Sequence, residues 1–283
     1  MKIKKRGVLI ACAVITVLAV ALAVFYPFIA DAFDTVAVRR YIGQDIKNVN
    51  NIVLVASCPE IDGKAQSVAG VKEAVRLGAN AVTVGLCFRA DDTPVITDRY
   101  ENNTEADTVE ELFVAMNDEK YKDVKLYLHI IQLSSLTELN RLTVKYNMVS
   151  RVYLTGIDKS HYGLVTSDNT IVPFLLKYDF TQDDLQRIED GKFSAPECIA
   201  KYGAGGLEID KRFATPEIVS TLDNFGIPFI VSGIESADDY CKVLMSGATT
   251  VIVSDIEKCS QVLDMWIDAM RERHSSSVEQ LIK

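Results

Sequence analysis

From Asn51 onward, short runs that are apolar at consecutive positions alternate with longer stretches in which apolar residues recur every three or four positions. Runs of the first kind suit parallel strands buried on both faces, and the second pattern is that of amphipathic helices packed on a sheet. Strands are predicted at Ile52–Ala56, Ala81–Cys87, Val124–Ile130, Val152–Thr155, Ile171–Leu176, Gly206–Ile209, Phe229–Ser232 and Thr250–Val253. Helices are predicted at Val68–Leu77, Thr108–Met116, Ser135–Tyr146, Gln182–Ile188, Pro196–Tyr202, Pro216–Phe225, Ala237–Ser246 and Ile256–Arg273. Eight such units in about 230 residues predict an α/β fold, a (β/α)8 TIM barrel, with an open doubly wound sheet as the runner-up. The region around the fourth and fifth strands carries the weakest pattern.

The segment Val75–Asp98 has the sharpest punctuation. Gly78 stops a helix, Ala81–Cys87 forms a strand apolar on both faces, and Asp91-Asp92 turns the chain into a second short strand at Pro94–Thr97. Ser236 followed by Asp238-Asp239 starts a helix that Gly247 ends.

The N-terminus follows a different rule. Lys2, Lys4, Lys5 and Arg6 precede an uncharged, largely apolar run from Gly7 to Ala30. At roughly 1.5 Å per residue that run exceeds the ~30 Å hydrocarbon core of a bilayer. It predicts an N-terminal transmembrane helix, with the cationic flank cytoplasmic and the rest of the chain outside. Ala30-Asp31-Ala32 also offers a small-x-small pattern for cleavage. The predicted organisation is a cytoplasmic stub and anchor over 1–30, a juxtamembrane helix and linker over 31–50, a barrel over 51–275 and a tail over 276–283. Without the four basic residues of the stub, 39 Asp+Glu outweigh the remaining Lys+Arg, for a net charge of −13. Such a domain is repelled by nucleic acid.

Of the six cysteines, Cys12 lies in the apolar run, and Cys58, Cys87, Cys198, Cys241 and Cys259 are scattered without a C-x-x-C or other metal-ligand spacing. They read as buried, unpaired thiols.

The frame Leu77-Gly78-Ala79-Asn80-Ala81-Val82-Thr83-Val84-Gly85-Leu86, followed by Asp92-Thr93-Pro94-Val95-Ile96-Thr97-Asp98, resembles the second strand of the glycerophosphodiester phosphodiesterase family. Leu207-Glu208-Ile209-Asp210, Thr215-Pro216-Glu217, Phe225–Val231 and Gly247–Asp255 resemble that family's last strands. The resemblance runs from about Ile52 to Asp255. It implies a TIM barrel and, in the family, metal-dependent hydrolysis of glycerophosphodiesters. The site residues depart from the pattern. Where the family has Ala-His-Arg-Gly after its first strand, this chain has Val55-Ala56-Ser57-Cys58. Where it has Glu-Asn-Thr, this chain has Ala65-Gln66-Ser67. The strand-two Glu and Asp become Thr83 and Gly85, and the second catalytic His becomes Thr97, although Asp98 remains. The strand-three Glu-x-Lys becomes His129-Ile130-Ile131, and an inward Trp becomes Ser232.

Phosphodiester hydrolysis requires charge neutralisation at the phosphoryl oxygens and a proton for the leaving alkoxide. By family position, the pocket of this chain offers Ala56, Ser57, Thr83, Gly85, Thr97 and Ser232, which supply neither a strong cation ligand nor a base near neutral pH. No metal and no cofactor is therefore expected. The first expectation is a catalytically degenerate barrel that binds a glycerophosphodiester-like ligand or a membrane-protein partner. The second is an enzyme with a rebuilt site made of His129, Glu208 and Asp98, using Ca2+ or Mg2+. His129 and Tyr127 share the inward face of one strand, Glu208 and Asp210 share a face of another, and a buried Glu208 needs a partner, with Lys177 and His129 at hand. Asp255 reads as a helix cap, Asp91-Asp92 as a turn, and Gly203–Gly206 as a glycine-rich connection.

Overall fold

A computed structural model describes residues 38–42, 44–100, 104–168 and 170–282. The chain alternates β1 (Val53–Ser57), α1 (Val68–Arg76), β2 (Ala81–Phe88), β3 (Pro94–Ile96), α2 (Val109–Met116), β4 (Lys125–Ile130), α3 (Thr137–Lys145), β5 (Val152–Ile157), α4 (Tyr162–Ser167) and β6 (Phe174–Lys177). It continues through α5 (Gln182–Glu189), α6 (Ala195–Tyr202), β7 (Gly206–Asp210), α7 (Pro216–Asn224), β8 (Phe229–Ile234), α8 (Ala237–Ser246), β9 (Thr250–Val253) and α9 (Ile256–Ile282). The strand order is β1-β9-β8-β7-β6-β5-β4-β2, and β1 pairs with β2 to close the ring. All of these pairings are parallel; β3 alone runs antiparallel, on the outer end of β2. The closed ring makes this a TIM barrel rather than an open sheet.

Helix starts follow local chemistry. Thr108 with Glu111 and Thr181 with Asp184 form reciprocal capping boxes, and Ser67, Ser194, Thr215 and Ser236 each accept a backbone N–H of the following turn. Gly203 and Gly247 end α6 and α8 in the left-handed region. The helix α4 had no counterpart in the apolar pattern, because its six residues are too few to show a helical period and its first turn lacks a side-chain cap.

Strand alternation divides the core in two. Leu54, Ala56, Val82, Val84, Leu126, Leu128, Leu154, Leu176, Leu207, Ile209, Val231 and Val251 are buried against the helix layer. Val55, Ala81, Tyr127, Leu175 and Ile230, flanked by Val53, Tyr153 and Ile252, fill the barrel interior. Full burial of each large apolar side chain stabilises the fold by roughly 1.5–3 kcal/mol.

The transmembrane helix expected over residues 7–30 lies outside the described residues. Among the described residues, no helix is long and apolar enough to cross a membrane. The segment expected as a juxtamembrane linker is packed on the barrel from residue 38 on. Val38 and Ile46 are buried, the Trp266 indole donates to the Gln44 carbonyl at 2.7 Å, and Arg273 reaches the Gln44 carbonyl at 3.1 Å and the Asp45 carboxylate at 2.9 Å. The Tyr41 ring lies 6.2 Å from that of Trp266, and its hydroxyl donates to Asp238 on α8.

Candidate functional site

Barrel chemistry is conventionally placed at the C-terminal ends of the strands, where the connecting loops converge. Register fixes which residues stand there. Ser57 lies beside Thr83, Gly85 beside His129, His129 beside Thr155, Lys177 beside Glu208, and Asp210 beside Ser232. Two-residue periodicity then points Ser57, Thr83, His129, Thr155, Lys177, Glu208 and Ser232 into the ring. Ala56 is displaced from its expected place. It is fully buried in the helix-facing core, because β1 presents Val55 and Ser57 inward and Ala56 on the opposite face.

Gly85 meets a second constraint. A Cβ at this position would lie 2.0 Å from the Thr97 carbonyl oxygen, and the Thr97 amide donates to the Gly85 carbonyl at 2.9 Å. The chain's own backbone fills the direction in which a side chain would project. Thr97 is buried, and its hydroxyl donates to the Arg99 carbonyl at 3.0 Å. Asp98 stands next to it, partly exposed and 3.4 Å from the Arg99 guanidinium. Together with Glu60–Gln66 of the β1–α1 connection, Thr97–Arg99 and Thr104–Ala106 enclose a polar pocket of about 550 Å3. Gln66 is tied into its floor by accepting the Gly85 amide at 3.2 Å.

Next round the ring from Gly85, His129 on β4 and Glu208 on β7 meet at Gly156 on β5. The Glu208 carboxylate is 3% exposed and accepts the Gly156 amide at 2.9 Å. A Cβ on Gly156 would lie 2.7 Å from the His129 ring, and the backbone there has φ +73°, so glycine is required twice over. The His129 Nδ1 is 3.4 Å from the Thr155 hydroxyl. The expected ion pair of Glu208 with Lys177 or His129 does not form. Instead the β5 backbone supplies the partner, because the register shift between Leu154 and Ile157 turns the Gly156 amide out of the β-ladder. Sequence reasoning missed this contact, and the signal was a glycine inside a strand.

Asp210 accepts the Arg212 amide at 2.9 Å and its guanidinium at 2.7 Å. Burial opposes its ionisation, but these Arg212 contacts outweigh burial and hold the carboxyl below its usual range. The Ser232 hydroxyl is turned toward the Ile209 carbonyl at 3.4 Å. Asp255 caps α9 by accepting the Lys258 amide at 3.0 Å, and Asp91 accepts the Thr93 amide in its turn.

The divalent cation that the family resemblance implies needs several oxygen ligands directed at one point. Thr83 and Gly85 occupy the strand-two positions, Gly85 has no room for a carboxylate, and Glu208 is already bonded to backbone on the opposite wall. Among the described residues, no group of three or more His, Cys, Asp or Glu side chains comes together so as to hold a metal. This donor set does not fit the ion.

No family model matches the chain, and no curated protein matches it. Solved structures do. A Galdieria sulphuraria structure assigned as a glycerophosphodiester phosphodiesterase superposes with a TM-score of 0.60 at 16% identity, over 78% of this chain and 100% of that one. The enzyme structure from Parabacteroides distasonis gives 0.57 at 12% identity, over 76% and 97% of the two chains. That from Agrobacterium tumefaciens gives 0.56 at 12%, over 74% and 99%. The described barrel therefore has the fold of the glycerophosphodiester phosphodiesterase structures.

Proposed function

We propose that this chain is a membrane-anchored, extracytoplasmic barrel of the glycerophosphodiester phosphodiesterase type that binds its ligand without hydrolysing it. The observation that carries the reading is Gly85, where the Thr97 carbonyl occupies the space a cation-holding carboxylate would need. The ligand class is a glycerophosphodiester-like headgroup, and the alternative occupant of the same face is a membrane protein. The pocket of about 550 Å3 between the β1–α1 connection and the segment after β3 is large enough for such a headgroup. Gln66, Thr97 and Thr104 offer it neutral hydrogen-bonding groups, and at the rim Lys64 and Arg99 stand paired with Asp107 and Asp98, with Glu60 and Glu105 nearby.

A second reading, a hydrolase with a rebuilt site, has one observation in its favour: His129 and Glu208 converge on Gly156. Asp98, the third member, stands instead in the pocket beside Gln66 and Arg99. The full chain incubated with glycerophosphocholine and Ca2+ or Mg2+ separates the two readings. Binding with no release of glycerol 3-phosphate is expected. Metal-dependent release, abolished by His129→Ala, would establish the hydrolase.

A further inference from the structure

The polar pocket beside β3 has a charge pattern that narrows the class of ligand it takes. Its two cations are already matched. The Lys64 ammonium lies 3.0 Å from the Asp107 carboxylate, and the Arg99 guanidinium lies 3.4 Å from that of Asp98. Glu60 and Glu105 also line the pocket, are exposed, and form no ion pair or hydrogen bond with any described residue. The unmatched charge at the pocket is therefore negative, which attracts a cationic group and disfavours a ligand whose only charge is negative.

The pocket also holds a free neutral donor. Gln66 accepts the Gly85 amide at 3.2 Å through its side-chain oxygen, and the nitrogen end of the same side chain has no partner among the described residues. That end can donate to a phosphoryl oxygen without adding charge. No described residue that lines the pocket is aromatic. A trimethylammonium group is typically received by aromatic faces, whereas a primary ammonium donates hydrogen bonds directly to carboxylates. Asp107 ties the two walls together. Its carboxylate accepts the Val68 amide at 2.9 Å as well as the Lys64 ammonium, and its carbonyl accepts the Ile96 amide at 2.9 Å. A pocket braced in this way loses little freedom when a ligand enters.

We propose that this pocket selects a phosphodiester bearing a primary ammonium, of the glycerophosphoethanolamine class. The ammonium is received by the carboxylates of Glu60 and Glu105, and a phosphoryl oxygen by the Gln66 amide. The assignment rests on the reading of the barrel as a headgroup-binding module, and adds to it the charge and shape of the headgroup. A soluble diester and the headgroup of an intact lipid offer the same chemistry.

The test is isothermal titration of the full chain with glycerophosphoethanolamine, glycerophosphocholine and glycerophosphoglycerol at low salt. The first is expected to bind about fivefold tighter than the third, and tighter than the second. Glu60→Gln and Glu105→Gln are each expected to weaken glycerophosphoethanolamine about two- to threefold and to leave glycerophosphoglycerol unchanged. Both positions are exposed, so neither variant is expected to shift the melting temperature. The preference is expected to shrink in about 0.5 M salt. Displacement of the bound diester by phosphatidylethanolamine vesicles identifies a lipid as the source, and lack of displacement identifies the soluble compound. Glycerophosphoglycerol or glycerophosphocholine binding as tightly as glycerophosphoethanolamine, or a preference unchanged when both glutamates are replaced, would overturn the selectivity and leave the headgroup-binding reading standing. Failure of all three diesters to bind would remove that reading, and the selectivity with it.

Discussion

The Glu208 carboxylate on β7 reaches past β6 and accepts the Gly156 amide of β5 at 2.9 Å. It is a buried acid whose partner is backbone rather than a charged side chain, and it braces three strands at the polar end of the barrel. Glu208→Ala leaves the Gly156 N–H without a partner in a buried setting and is expected to cost about 1–3 kcal/mol. Glu208→Gln keeps an acceptor oxygen and is expected to cost less than half of that. Denaturant unfolding of both variants checks this order. Equal losses would mean that the charge, not the hydrogen bond, matters there.

Gly85 sets the second expectation. Gly85→Asp, which restores an acid at the strand-two position, drives a side chain into the Thr97 carbonyl 2.0 Å away and is expected to destabilise the barrel by about 2–4 kcal/mol. The variant is expected to gain no stability from Ca2+ or Mg2+. A rise in melting temperature with either ion would show that the hairpin end yields and that the metal position is recoverable.

Trp266 is the chain's single tryptophan, and it is fully buried. Its emission is therefore expected to be blue-shifted in the native state and to report directly on the docking of residues 38–46. Arg273→Ala removes the contacts to the Gln44 carbonyl and the Asp45 carboxylate. It is expected to cost about 1–2 kcal/mol and to make the peptide between Val38 and Ile46 cleavable by protease before the barrel unfolds. Co-operative cleavage only after global unfolding would show that the docked segment and barrel are one unit.

Burial pushes the Cys58 thiol up to about 11 and the Cys259 thiol up to about 12, from ordinary values near 9. Both folded-state values are raised, so the associated stability is complete below pH 9 and is lost as pH rises through 11 and 12. Native protein at pH 8 is accordingly expected to leave Cys58 and Cys259 unmodified by a thiol reagent, and alkaline unfolding is expected to begin above pH 9. Fast modification of Cys58 at pH 8 would contradict its burial beneath the Ser67 and Pro59 carbonyls.

The barrel frame was legible because its signals are local. Apolar runs mark strands buried on both faces, Ser, Thr and Asp mark helix starts, and Gly247 marks a stop, and each found the element it announced. Ala56 was placed in the pocket by family position alone, and alternation along β1 puts it on the helix-facing side, with Val55 and not Ala56 in the barrel interior. The Gly156 contact was hidden because its partner is a backbone amide freed by a register shift, which side-chain chemistry does not encode. The docking of residues 38–46 on α9 joins positions more than 220 residues apart, beyond the reach of any periodicity.

That docking has a mechanical outcome. The indole of Trp266 and the guanidinium of Arg273 grip the same Gln44 carbonyl, and Tyr41 is pinned to α8 through Asp238. A tug applied ahead of Val38 is therefore taken up by the last two helices, and β1 is shielded from it. Under such a pull the barrel is expected to behave as a stiff body whose final helices must be peeled away before the first strand can be drawn out.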